Sequence, residues 1–234
     1  MRDLKAIAFD KDGTLVDFDR TWGPSAGQVM RELARGDQVA LKHLHDVSAY
    51  LVDAERFLPT SPLVAGSSAH YGPLWAQVLG CEADADFLAL VDRLFRAAGL
   101  HYLTPIGRPD LILNELGRRG YVMGIVTNDA ERNARLQADA LGLSPHLSLV
   151  HGYDSGFGSK PDPGMITAAV KEFGIKAHEL AVIGDSAHDL AAARGAGARF
   201  ILVRSGPAQV DDLAPHADLV IPSIDHLPAH LPEM

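Results

Sequence analysis

Two carboxylates two residues apart, Asp10 and Asp12, open the segment Asp10-Lys11-Asp12-Gly13-Thr14-Leu15-Val16. At average composition a D-x-D-G-T string arises by chance roughly once in several hundred chains of this length. The segment follows the apolar run Lys5 to Phe9, so both carboxylates are expected where a strand ends and a loop begins. Crowded there, they repel, and one is pushed toward its neutral form unless a cation intervenes. A protonated and an ionised carboxyl side by side are what a nucleophile and an acid–base partner require. Their oxygens also suit a hard divalent cation, and Mg²⁺ is the usual choice beside phosphate.

Three further segments carry polar residues at expected strand ends or just before a helix start. Thr127, Asn128 and Asp129 follow Tyr121–Val126. There a hydroxyl and the free N–H groups of a following helix would suit a phosphate oxygen, although a Thr or Asn before a helix is commonly only its cap. Lys160 lies in Gly158-Ser159-Lys160-Pro161-Asp162-Pro163, unusually constrained for a surface charge. Asp185 closes Val182-Ile183-Gly184 and is followed by Ser186-Ala187-His188-Asp189. Ser186 and Asp189 have the spacing of a capping box, so Asp189 reads either as a cap or as part of a metal site.

The elements that must position these residues are legible as well. Apolar runs recur at Lys5–Phe9, Tyr121–Val126, Leu147–Val150, Leu180–Ile183, Phe200–Val203 and Leu219–Ile221. They are continuous rather than alternating, the mark of parallel strands covered on both faces. Helical patterns over Pro109–Leu116, Asp129–Leu141 and Pro163–Phe173 lie between them, each followed by Gly. Strand alternating with helix predicts a doubly wound, Rossmann-like α/β core. Residues 19–103 show only helical spacing, with Pro59, Pro62 and Pro73 as breaks. Strand 1 must pair with later strands, so the expected organisation is a core of 1–18 and 104–234 with an all-helical insertion of 19–103. An insertion just past the carboxyl end of strand 1 is positioned to act as a lid over the ligand crevice.

Composition excludes other classes. The chain has 234 residues, 47% hydrophobic and 22% charged, and a formal net charge of -9. That is long enough to bury about 70% of the unfolded surface without staples. One cysteine, Cys81, permits neither an intrachain disulfide nor a Cys-based zinc site. The acidic balance argues against nucleic acid as a partner, and no run of 18 apolar residues suggests a membrane span. With no signal-peptide pattern at its start, the chain is expected in the cytoplasm. No G-x-x-x-x-G-K-[ST] or dinucleotide fingerprint occurs.

Taken together, the four segments resemble the haloacid dehalogenase (HAD) superfamily of aspartate-nucleophile phosphotransferases in order, spacing and strand-end placement. The insertion is similar in position, length and helicity to the helical cap of the phosphoglycolate-phosphatase-like branch. The chain departs from many relatives at Phe18, where they carry a small polar residue. The resemblance implies that Asp10 is the nucleophile that becomes an aspartyl-phosphate. Asp12 would protonate the leaving oxygen and then activate water. Thr127 and Lys160, with Asn128 beside them, would hold the phosphoryl group. Asp10, the Asp12 backbone carbonyl, Asp185 and Asp189 would form the Mg²⁺ site, with Asp189 either a ligand or a neighbour of one. The implied activity is Mg²⁺-dependent hydrolysis of a small phosphorylated metabolite. Asp12 points to phosphate rather than halide chemistry, because a departing halide needs no proton. A sugar phosphomutase of the same superfamily is the alternative, with a non-enzymatic phospho-switch or a dead binding protein further off. Substrate and oligomeric state are not legible in the sequence.

Overall fold

The computed structural model describes residues 1, 3–64 and 68–233, which divide into two compact units, 1–17 with 105–234 and 18–104. In chain order the first unit begins with β1 (Ala6–Phe9). The second unit holds α1 (Phe18–Ala34), α2 (Gln38–Val47), β2 (Tyr50–Leu51), β3 (Arg56–Phe57), α3 (Ser68–Leu79) and α4 (Ala85–His101). The first then resumes with α5 (Pro109–Arg118), β4 (Val122–Val126), α6 (Glu131–Ala140), β5 (Leu149–His151), α7 (Gly164–Phe173), β6 (Leu180–Gly184), α8 (Ala187–Gly195), β7 (Arg199–Val203) and β8 (Leu219–Ile221).

Six strands form one parallel sheet in the order β5-β4-β1-β6-β7-β8. This is the doubly wound topology that the continuous apolar runs predict. Central β1 is fully buried between β4 and β6, and its side chains alternate between two covered faces. Ala6 and Ala8 join a cluster with Met165, Ile166 and Ala169 of α7 and Ala192 and Ala193 of α8. Ile7 and Phe9 point to the opposite face, which is equally covered. Sealing a side chain such as Phe9 between layers is worth about 1.5–3 kcal/mol. The chain winds outward from β1 to β5, then crosses back to β6. The strand order therefore reverses at β1, and ligands of such sheets bind at the carboxyl ends of the strands beside that reversal.

The second unit has its own core, built on Val29, Met30, Leu44, Trp75 and Val91. It is helical with one addition: β2 and β3 pair as an antiparallel hairpin. Strands of two residues are too short to show a period-2 pattern, which is why none is visible in the sequence. Pro73 does not break the chain as its type suggests but lies inside α3, and Pro24 lies inside α1. Each removes a backbone hydrogen bond and crowds the carbonyl four residues before it, at a cost of about 3 kcal/mol, and in α3 the burial of Tyr71, Gly72 and Trp75 works against that cost. Trp75 donates its indole N–H to Ser48 Oγ at 2.9 Å, so it belongs to this core. Phe18 belongs to it too, its ring centroid 6.1 Å from that of Phe57. Among the described residues no helix is long and apolar enough to cross a membrane.

Candidate active site

The three central strands deliver one candidate each. Asp10 follows β1, Thr127 follows β4 and Asp185 follows β6. The Asp10 backbone N–H still donates to Ile183 O at 2.7 Å, so the ladder runs into the site and fixes where its side chain starts. Beyond it the chain turns sharply. Leu15 and Val16 N–H groups both return to Lys11 O, at 2.8 and 2.9 Å, and Gly13 N–H returns to Val16 O at 2.7 Å. Gly13 has a φ of 87°, in the left-handed region that favours glycine. A Cβ there, or at Gly206, would also overlap the Asp185 carboxylate. The two glycines thus form a cradle for that group, and Ser205 ties its two walls by donating to Gly13 O at 2.8 Å.

Lys160 reaches this point from the loop before α7. Its ammonium donates to Asp10 Oδ1 at 2.5 Å, to Asp189 Oδ1 at 2.5 Å and to Val126 O at 3.0 Å. All three of its donors are thereby used. Only 5% of the residue is exposed, so the charge is compensated by these partners rather than by water. Its loop is clasped by Asn128, whose Nδ2 donates to Lys160 O and whose Oδ1 accepts from Lys160 N–H, each at 2.8 Å. Both ends of the Asn128 amide are committed to that clasp. Thr127 Oγ1 accepts from Asp129 N–H at 3.1 Å. The N-cap of α6 is Ala130, so Thr127 is not its cap.

Asp189 does two things at once. Its Oδ2 accepts from Ser186 N–H at 3.1 Å and from Ser186 Oγ at 2.5 Å, closing a capping box on α8. Its Oδ1 meets Lys160. A cap and a site contact are alternatives only for a group with one oxygen.

Asp10, Asp185 and Asp189 each offer a carboxylate oxygen within 4.8 Å of the others, and all three are buried. Burial pushes Asp10 up to about 7, with Asp189 and Asp12 adding to the rise and Lys160 opposing it. Burial, then Asp10 and Asp189, raise Asp185 well above the carboxylate range, again against Lys160. Burial alone would lower Lys160, but the Asp10 and Asp189 carboxylates outweigh it and hold the ammonium charged. Ionised together, as a bound cation would hold them, the three carboxylates and one ammonium carry a formal charge of minus two on a cluster of hard oxygen donors. That is the donor chemistry and the charge a Mg²⁺ ion requires, so the residues fit the metal.

Asp12 lies beside this cluster, with its side chain 21% exposed. Two residues to which the motifs assign no role stand next to it, Lys11 and Asp129. Lys11, almost fully buried, places its ammonium 2.7 Å from Asp12 Oδ2 and 3.1 Å from Asp129 Oδ2. The signal that could have found Lys11 is the parity of the preceding strand, continued from Ile7 and Phe9.

The family model for haloacid dehalogenase-like hydrolases matches residues 4–197 of the chain. The phosphoglycolate phosphatase of Chromobacterium violaceum is 34% identical over 97% of this chain and 96% of its own length. That of Rhodospirillum rubrum is 31% identical over 86% of this chain and 80% of its own length. A crystal structure of a HAD phosphatase from Thermococcus onnurineus has a TM-score of 0.72 at 20% identity, covering 98% of this chain and 99% of that one.

Proposed function

The chain belongs to the haloacid dehalogenase-like hydrolases and is a phosphatase, and from that premise we propose that it hydrolyses a small phosphoglycolate-like monoester through an aspartyl-phosphate on Asp10. The observation that carries this reading is the buried contact of Lys160 with both Asp10 and Asp189 at the switch point of the sheet. A carboxylate nucleophile attacking a dianionic ester needs its field neutralised, and phosphoryl transfer is catalysed mainly by position and electrostatics. Two phosphoglycolate phosphatases aligned over most of their length support the substrate class.

In this reading an Asp10 carboxylate oxygen attacks phosphorus in line, and the bond from phosphorus to the leaving oxygen breaks. The electron pair stays on that oxygen, which takes a proton from the Asp12 carboxyl group. Asp12, now ionised, accepts a proton from water as the water oxygen attacks the aspartyl-phosphate. The bond from phosphorus to Asp10 then breaks, and phosphate leaves. Lys160 steadies Asp10 and offsets negative charge throughout. Thr127 accepts from Asp129 N–H and so has its own hydroxyl proton to give to a phosphoryl oxygen. Asn128 acts indirectly, by holding the Lys160 backbone. Mg²⁺ would be held by Asp10, Asp185 and Asp189, with the Asp12 carbonyl as a further donor, and it would supply charge compensation for the phosphoryl oxygens.

A screen of phosphate monoesters with Mg²⁺, read by phosphate release and repeated in EDTA, tests the proposal. The expected result is turnover of 2-phosphoglycolate or a close analogue that EDTA abolishes. Isomerisation of a hexose 1-phosphate without phosphate release would make the chain a mutase. Full-rate hydrolysis in EDTA would overturn the metal-assisted reading.

A further inference from the structure

Between the two carboxylates of the motif stands a lysine that the mechanism above does not use. Just past β1, Asp10 turns to Lys160, whereas Lys11 reaches Gln137 of α6. The Lys11 side chain is 2% exposed. Its ammonium lies 2.7 Å from Asp12 Oδ2, 2.7 Å from Gln137 Oε1 and 3.1 Å from Asp129 Oδ2. Asp129 is held in turn by Ala130 N–H at 2.7 Å and by Asn133 Nδ2 at 2.6 Å. Asn133 and Gln137 are four residues apart on α6, both buried. A continuous polar chain therefore runs from the inner face of α6 to the Asp12 carboxyl group.

An ammonium taken out of water is costly, and an apolar side chain would fill this space between Leu15, Ile125 and Leu143 at lower cost. What the apolar residue could not do is grip Asp12. The final torsion of an aspartate is broad, whereas a proton donor must stand within about 2.6–3.2 Å of the atom it serves. Pinning Oδ2 fixes the plane of the carboxyl group and so fixes where Oδ1 stands.

We propose that Lys11, anchored by Asp129 and Gln137, is a positioning residue that orients Asp12 toward the leaving oxygen of the substrate. This rests on the reading of Asp12 as the proton donor. Leaving groups separate the two claims, because an alkoxide needs a proton to depart and p-nitrophenolate does not. The experiment is single-turnover release of the leaving group from 2-phosphoglycolate and from p-nitrophenyl phosphate, with Mg²⁺, for the wild type, Lys11→Met and Asp12→Asn. For Lys11→Met the expected result is a fall of about 100-fold on the alkyl ester, the low end of what acid catalysis contributes, and of less than about 5-fold on the aryl ester. Equal losses on the two esters mean that Lys11 only supports the fold, and they overturn the proposal if Asp12→Asn discriminates between the esters. If Asp12→Asn does not discriminate, it is the proton-donor reading that fails. Should Lys11→Met not fold, Gln137→Leu removes one anchor and leaves the charge in place. It is expected to give the same selective loss at about 10-fold, and an equal loss on both esters, or none on either, overturns the proposal.

Discussion

The acidic cluster makes the protein's stability depend on pH in a direction opposite to the common case. Burial, with Asp189 and Asp12 nearby and Lys160 opposing, pushes the Asp10 carboxyl up to about 7 in the folded chain, from an ordinary 3.8. A carboxyl group raised in this way holds its proton longer when folded than when unfolded. Its stabilising contribution is full below about pH 4 and is lost as pH rises through about 7. A carboxyl group displaced from about 4 to about 7 carries a proton linkage on the order of 4 kcal/mol. For a chain of this length that is on the order of 10 °C in Tm. Asp185 is raised too and acts in the same direction. The assay is thermal unfolding in EDTA from pH 4.5 to 7.5, for the wild type and for Asp10→Asn. The variant lacks the Asp10 titration but keeps the other exposed and buried groups. Circular dichroism is the right signal, because both tryptophans, Trp22 and Trp75, lie in the 18–104 unit. The wild type should lose Tm relative to the variant as pH rises, and saturating Mg²⁺ should recover most of the loss at pH 7. Ion binding at 100 times its Kd returns about 2.7 kcal/mol. A wild type that gains stability relative to Asp10→Asn over this range would refute the reasoning.

Two further outcomes follow from the same geometry. Asn128→Ala releases both backbone groups of Lys160 without touching its ammonium; kcat should fall about 10–100-fold while Tm drops by only a few degrees, the pattern of lost positioning rather than lost folding. Gly206→Ala pushes a methyl group against the Asp185 carboxylate; overpacking of this kind costs about 1–3 kcal/mol, and the Mg²⁺ concentration for half-maximal activity, measured by titration, should rise at least several-fold.

The sheet was legible because its strands are buried on both faces. Ala6–Phe9, Leu180–Gly184 and Arg199–Val203 are nearly unbroken apolar runs, and little besides a central parallel strand uses such a run at that length. The residues at strand ends were legible for the same reason, since each ends a run that identifies itself. The hairpin of β2 and β3 was not, being two residues a side. Pro73 misled because a proline's local cost was weighed without the packing that outweighs it. Asn128 shows a different limit. Its place beside Thr127 suggests a substrate contact, but nothing local announces that its amide also clasps Lys160, 32 residues away. Lys11 was missed, and Asp129 was given no role, on the same ground. A lysine between two aspartates reads as a solvated charge until the pairing of β1 with β4 brings α6, with Asn133 and Gln137, against it.

In the proposed reaction Asp10 carries the phosphoryl group during turnover. The most direct measurement is rapid acid quench of the enzyme with its best substrate and Mg²⁺, followed by mass spectrometry of the peptide that contains residues 10–16. The account predicts a phosphorylated species on Asp10 that forms and decays within the turnover time, and that is absent, along with activity, in Asp10→Asn. Undiminished turnover by Asp10→Asn, or a phosphoryl group trapped on a different residue, would contradict it.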